Sequence, residues 1–226
     1  MKGAGHINRI EQVEPNLWGI GTEPRFAIGQ RSLLVATEGG NVLWDPVSYL
    51  DDATTSRIQE LGGVQAISAS HPHFYGSVVE WSRAFDHAPI YLPAADRKWV
   101  QRADDGYRFY TEDAVEVAGL MLIRCGGHFE GSAVLHWREG ADGRGVILSG
   151  DTVQVVMDRS AVSFMRSYPN LIPLDPESIR RIHQQLASVS YDRIYGGWWE
   201  RVVTAGAEAA VSASVARYLR YAGWDA

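Results

Sequence analysis

Cysteine occurs once in this 226-residue chain, at Cys125, which excludes an intrachain disulfide and suits a reducing compartment. No apolar run approaches bilayer-spanning length, and the N-terminal MKGAGHINRIEQVEPN lacks the apolar centre of a signal peptide. Lys and Arg form no run and the formal charge is −6, so neither nucleic acid nor a membrane surface is expected as a partner. Low-complexity tracts, solenoid-period repeats and Pro/Gly/Ser-rich linkers are also missing, so residues 1–226 read as a single domain. A soluble, cytoplasmic protein is expected, and a chain that is 46% hydrophobic has the material for a large core.

What is present is a mixture of short strands and helices. Strand-like runs are NLWGIGT (16–22), RSLLVAT (31–37), NVLWD (41–45), VQAIS (64–68) and PIYL (89–92), then VEVAGLMLIRC (115–125), SAVLHWR (132–138), GVILSG (145–150) and DRIYGG (192–197). EGGN (38–41) has the composition of a hairpin turn. Helices are predicted over 52–61 with Asp51 or Asp52 as cap, over 77–85, over 94–103 behind Pro93, over 175–188 behind Asp175, and over 204–223. Each half offers strands and then helices, which predicts two sheets packed face to face with helices outside.

Four strand ends or loops carry metal-binding chemistry. SASHPHFYG (68–76) puts His71 and His73 directly after a buried-strand pattern, and in extended backbone residues i and i+2 project to one side. Neutral imidazole is the commonest ligand for zinc and its neighbours. CGGHFEGS holds His128 in a loop whose glycines allow tight turns. LSGD ends a strand at Gly150-Asp151, and NVLWDP ends another at Asp45, a suitable acceptor for the free N–H of a ligand histidine.

In this order the motifs resemble the metallo-β-lactamase superfamily, over roughly residues 16 to 200. That family has an Asp-bearing strand, an S/T-H-x-H-x-D-H loop, a G-H loop, a G-D strand end and a late G-H. Ser70-His71-Pro72-His73 match the start of the first histidine motif, Gly127-His128 the second and Gly150-Asp151 the third. The resemblance implies an α+β chain folded as a four-layer αββα sandwich, with metal at one edge between the sheets. It also implies a metal-dependent hydrolase. Tyr75 and Gly76 stand where the family has Asp and His, and IYGGWWER (194–201) has Trp198 near the last His. Those are the family's second-metal positions. One divalent ion is therefore expected, held by His71, His73 and His128 with Asp151 fourth or close by; zinc is the first expectation, and iron or manganese suit the same donors.

Three imidazoles leave an open position on the ion, the pattern of a catalytic site. The expected reaction is hydrolysis of a small ester, thioester, lactone or amide. Asp151 reads equally as a ligand and as a general base. Tyr75 reads either as a donor to a developing oxyanion or ligand to ferric iron, or, the preferred reading, as packing that fills the second-metal space with Trp198 or Trp199. Two other functions fit the same residues: a catalytically lapsed metal- or ligand-binding protein, and an iron-dependent oxidoreductase. β-Lactam hydrolysis is not expected, since the N-terminus carries no export signal. The segment 153–175 reads equally as a substrate wall, with Arg159 or Arg166 taking an anionic group, and as a core connection or homodimer contact. His6, His87, His136 and His183 read as terminal, turn, strand-face and helix-face residues, and Cys125 as a buried inert thiol.

Overall fold

A computed structural model describes residues 5–224. Among them, the first sheet takes seven strands in chain order: β1 (Ile7–Glu14), β2 (Leu17–Glu23), β3 (Arg31–Val35), β4 (Val42–Trp44), β5 (Ala66–Ser68), β6 (Ile90–Pro93) and β7 (Tyr107–Tyr110). β1 to β4 pair antiparallel, with EGGN turning β3 into β4, whereas β4 to β7 pair parallel. β3, β4 and β5 are buried at every residue, as strands covered on both faces must be.

The second half supplies β8 (Ala114–Val117), β9 (Leu120–Arg124), β10 (Ala133–Trp137) and β11 (Val146–Leu148). Two short ribbons follow: β12 (Gln154–Val155) with β13 (Val162–Ser163), and β14 (Met165–Ser167) with β15 (Ile172–Pro173). β16 (Arg193–Tyr195) and β17 (Val202–Val203) then complete a second sheet in the order β17-β16-β11-β10-β9-β8.

Side-chain alternation along the strands sorts the apolar residues into layers. Leu33, Val35 and Trp44 of the first sheet meet Leu122, Leu135 and Leu148 of the second in a core between the sheets. The other face of the first sheet (Ile20, Leu34, Ile67) packs on the helices Asp52–Glu60 and Val78–Ala84 through Ile58, Val78 and Trp81. The other face of the second (Ile123, Val134, Ile147) packs on the helices Pro176–Leu186 and Ala207–Tyr221 through Ile179, Ile182 and Val211. The result is the expected αββα sandwich.

Local signals account for the helix starts. Asp51, not Asp52, caps the first helix, its side chain accepting from the Thr54 N–H at 2.8 Å, and Asp175 accepts from the Ser178 N–H at 2.9 Å with Pro176 opening the helix. Two expectations fail. Residues 94–103 form no α-helix but a short 3₁₀ stretch, Ala94–Trp99, because its inward group is the buried Asp96 carboxylate rather than an apolar stripe. The run 115–125 divides into β8 and β9 because Ala118 and Gly119, both at positive φ, form a two-residue hairpin turn within it. No described helix is long and apolar enough to cross a membrane.

Candidate metal centre

Parallel pairing of β4 with β5 brings their C-terminal ends side by side, and polar residues follow both. Asp45 sits at φ +53°, a left-handed conformation that short polar side chains tolerate. Its Oδ1 accepts from the Ser70 N–H at 2.6 Å and its Oδ2 from the Ser70 hydroxyl at 3.0 Å. The hydroxyl, its proton directed to Asp45, accepts from His71 Nδ1 at 2.9 Å, which leaves the lone pair on Nε2. The bond expected between Asp45 and a ligand histidine is thus relayed through Ser70.

The pairing of His71 with His73 also arises differently from the extended-strand expectation. His71 is extended, but Pro72–Phe74 close one 3₁₀ turn, and that turn brings His73 Nδ1 to 3.1 Å from His71 Nε2. His128 lies in the β9–β10 loop after Gly126 and Gly127, both at positive φ. Its Nδ1 donates to the Met165 carbonyl at 3.0 Å and its own carbonyl accepts from Arg166, so β14 holds it on two sides. The tautomer this sets leaves Nε2 buried with no partner among the described residues. β11 ends in Gly150-Asp151. A Cβ on Gly150 would lie 2.1 Å from Ser70 Oγ, so only glycine lets this strand end pack on the Asp45–Ser70 pair. Asp151 Oδ2 lies 3.7 Å from His71 Nε2, and its Oδ1 is a second buried atom without a partner among the described residues.

One donor atom from each of His71, His73, His128 and Asp151 lies within 4.8 Å of all the others. Burial lowers the pKa of all three imidazoles, furthest for His71, where the neighbouring His128 and His73 add to it. The rings are therefore neutral near neutral pH, and His71 with Asp151 is not an ion pair. Burial pushes the Asp151 carboxyl up to about 6 and the Asp45 carboxyl up to about 7, the latter against two bonds from Ser70. Neutral lone pairs, an orphaned ring nitrogen and an orphaned carboxylate oxygen in one small volume are the donors a divalent cation takes, so these residues fit the metal. Phe129 lies against the cluster, its ring centroid 5.1 Å from His73 and 5.0 Å from His128, with Trp99 edge-on to it at 5.4 Å.

Other residues singled out in the sequence fall elsewhere. The Tyr75 ring belongs to the outer core of the first sheet and its hydroxyl donates to Asp96 Oδ2 at 3.3 Å. Trp198 Nε1 donates to the Ile28 carbonyl at 3.1 Å, and Trp199 lies against Gly19 and Gly21 of β2. The aromatics expected to fill a second-ion space are thus engaged with other groups, and a Cβ on Gly76 would meet nothing within 4 Å among the described residues. Within 153–175, Met165 and Arg166 hold His128, and the Tyr168 hydroxyl donates to the Asp151 carbonyl at 3.1 Å. Arg159 takes a left-handed turn position between β12 and β13. His136 is bonded to the Ser190 carbonyl and His183 to Ser212; burial pushes the Cys125 thiol up to about 12, as an inert thiol requires. Sequence reasoning passed over Phe129 and Asp96, and took Tyr168 only as part of the 153–175 segment. Asp96 carries no signal at all, being one acid in the charged run AADRKW.

The profile of the metallo-beta-lactamase superfamily matches residues 27–198. The chain is 44% identical over 222 residues to the uncharacterized protein YmaE of Bacillus subtilis, covering 97% of this chain and 80% of that one. Among solved structures, a motif-mutant metallo-beta-lactamase from Cronobacter sakazakii superposes with a TM-score of 0.61 at 18% identity, covering 95% of this chain and 97% of that one. TTHA1623, solved in a di-iron-bound form, superposes with a TM-score of 0.57 at 24% identity, covering 77% and 89%. With that profile spanning most of the αββα sandwich and the histidine–aspartate cluster at its strand ends, the chain belongs to the metallo-beta-lactamase superfamily.

Proposed function

We propose that the protein is a metal-dependent hydrolase of a small ester, thioester, lactone or amide. It works on a single divalent ion held by His71, His73 and His128, with Asp151 beside them. The observation that carries this reading is the pair of orphaned buried donors, His128 Nε2 and Asp151 Oδ1, in a cluster where both Nδ1 atoms of His71 and His128 are already bonded. When bound, such an ion supplies Lewis acidity toward a carbonyl oxygen and toward water, and three imidazoles favour zinc while also accepting iron or manganese.

The chain's own residues supply the rest. Asp45, through Ser70, keeps the His71 lone pair on Nε2, and the Met165 carbonyl does the same for His128. Asp151, raised to about 6 by burial, is ionised above that pH and accepts a proton from the attacking water. Phe129 and Trp99 give the substrate an apolar wall. Arg166, exposed beside His128 with its guanidinium 5.9 Å from the Phe129 ring, offers a cation to a small substrate bearing a carboxylate.

Elemental analysis with a panel of aryl esters, lactones and acyl thioesters, assayed before and after chelation, tests the proposal. Stoichiometric metal and turnover that disappears on chelation and returns with metal are expected. Bound metal without chelator-sensitive turnover would sink the hydrolase. It would leave a lapsed metal-binding protein, a reading favoured by Tyr75 and Gly76 at two positions where the family carries ligands.

A further inference from the structure

We infer that Asp96 is a positioning residue that braces the two histidine loops against each other and thereby sets the metal affinity of the centre; the inference rests on the metal-centre reading above. Asp96 is 0% exposed. Its Oδ1 accepts from the Gly131 N–H at 2.8 Å, and its Oδ2 accepts from the Tyr75 hydroxyl at 3.3 Å. Gly131 lies three residues after His128, and Tyr75 two residues after His73. One carboxylate therefore joins the loop that follows β5 of the first sheet to the loop that precedes β10 of the second.

The fit around it is close. A Cβ on Gly131 would come within 2.6 Å of Asp96 Cγ and 2.9 Å of Pro93 Cβ, so the loop can seat on the carboxylate only as glycine. A second tie runs alongside, from Lys98 Nζ to Glu130 at 2.9 Å, but both its side chains are more than half exposed and contribute little. A carboxylate buried at this position costs folding free energy that an apolar side chain would not. Its two bonds offset that cost by tying down flanks of the loops that carry His73 and His128. Ligands must be held within about 0.5 Å of their productive positions for full affinity, and side chains that orient ligands typically change metal affinity by about tenfold to a hundredfold when removed.

The test is zinc affinity by chelator competition, with the visible spectrum of the cobalt-substituted protein as a reporter of ligand geometry. Asp96→Ala is expected to weaken zinc binding by about tenfold to a hundredfold and to alter the cobalt spectrum. Asp96→Asn, which keeps an oxygen for the Gly131 N–H, should recover most of the loss. Tyr75→Phe, which cuts one arm, should cost about threefold to tenfold, and the two conservative variants carry the test if Asp96→Ala does not fold. A purely structural role would lower the melting temperature of the metal-free variants but leave affinity and spectrum unchanged, and that result overturns the brace while the metal centre stands. Wild-type protein that binds neither zinc nor cobalt overturns both.

Discussion

Each end of the sandwich holds a nearly buried carboxylate, and the two are left in different states. β4 and β11 run toward the histidine cluster; at their other ends a cleft of about 690 Å³ opens between the sheets. There Glu14, at the end of β1, accepts from the Ala141 N–H at 3.1 Å and from the Tyr195 hydroxyl at 2.7 Å, and pairs with Arg193. That carboxylate bonds to three partners and stitches β1 of one sheet to β16 of the other. At the cluster, by contrast, the His71 and His128 Nδ1 atoms are bonded while His128 Nε2 and Asp151 Oδ1 are left over among the described residues. Unsatisfied buried donors are rare in native proteins, and where several converge they mark the place where a ligand belongs.

The contrast breaks most sharply at His71. Removing it as His71→Ala should weaken zinc binding by more than about a hundredfold, read as metal retained after desalting, and should abolish the stabilisation that added zinc gives in thermal melts. Retention of full zinc by this variant would mean that the cluster is not the metal centre. At the far end, Glu14→Gln should cost about 2 kcal/mol in urea unfolding while leaving zinc affinity unchanged, since sites this far apart with no shared partner behave independently. A parallel loss of zinc would show that the two ends act as one unit.

The smallest effect is one of pH, in metal-free protein. Burial holds the folded Asp45 carboxyl at about 7 against an ordinary value of 3.8. The folded state therefore keeps this proton more tightly than the unfolded chain does, and the stability it contributes is fully present below about 4 and declines as pH rises through about 7. Asp45→Asn cannot ionise, so its melting temperature in chelator should gain on the wild type as pH is raised across that range. A gap that stays constant would show that Asp45 does not titrate there.

Much of the layered fold could be read from the chain because the relevant signals are local or periodic. Asp51 and Asp175 cap helices through N–H groups three residues away, and LLV and VLW announce strands buried on both faces. β1, β7, β17 and the ribbons β12 to β15 were not legible: the first is a half-exposed strand with the polar sequence INRIEQVE, and the others are two to four residues long. Of the site, His71, His73, His128 and Asp151 could be picked out because their motifs, each beside a strand end or a glycine turn, resemble those of the superfamily in the same order. Their orientation could not.

The chain's residue pattern was enough to specify two sheets, their helices and four metal-type donors at strand ends. Only the folded arrangement decided that Ser70 relays Asp45 to His71, that Met165 sets the tautomer of His128 from 37 positions away, and that Asp96 joins two loops. It also sent Tyr75, Trp198 and Trp199 to partners of their own. The physical reason is range. A cap or a turn is satisfied by neighbours within a few bonds, so spacing reveals it, whereas hydrogen bonds between loops of different sheets join groups whose separation along the chain is unconstrained and acquire partners only when the two sheets close on each other.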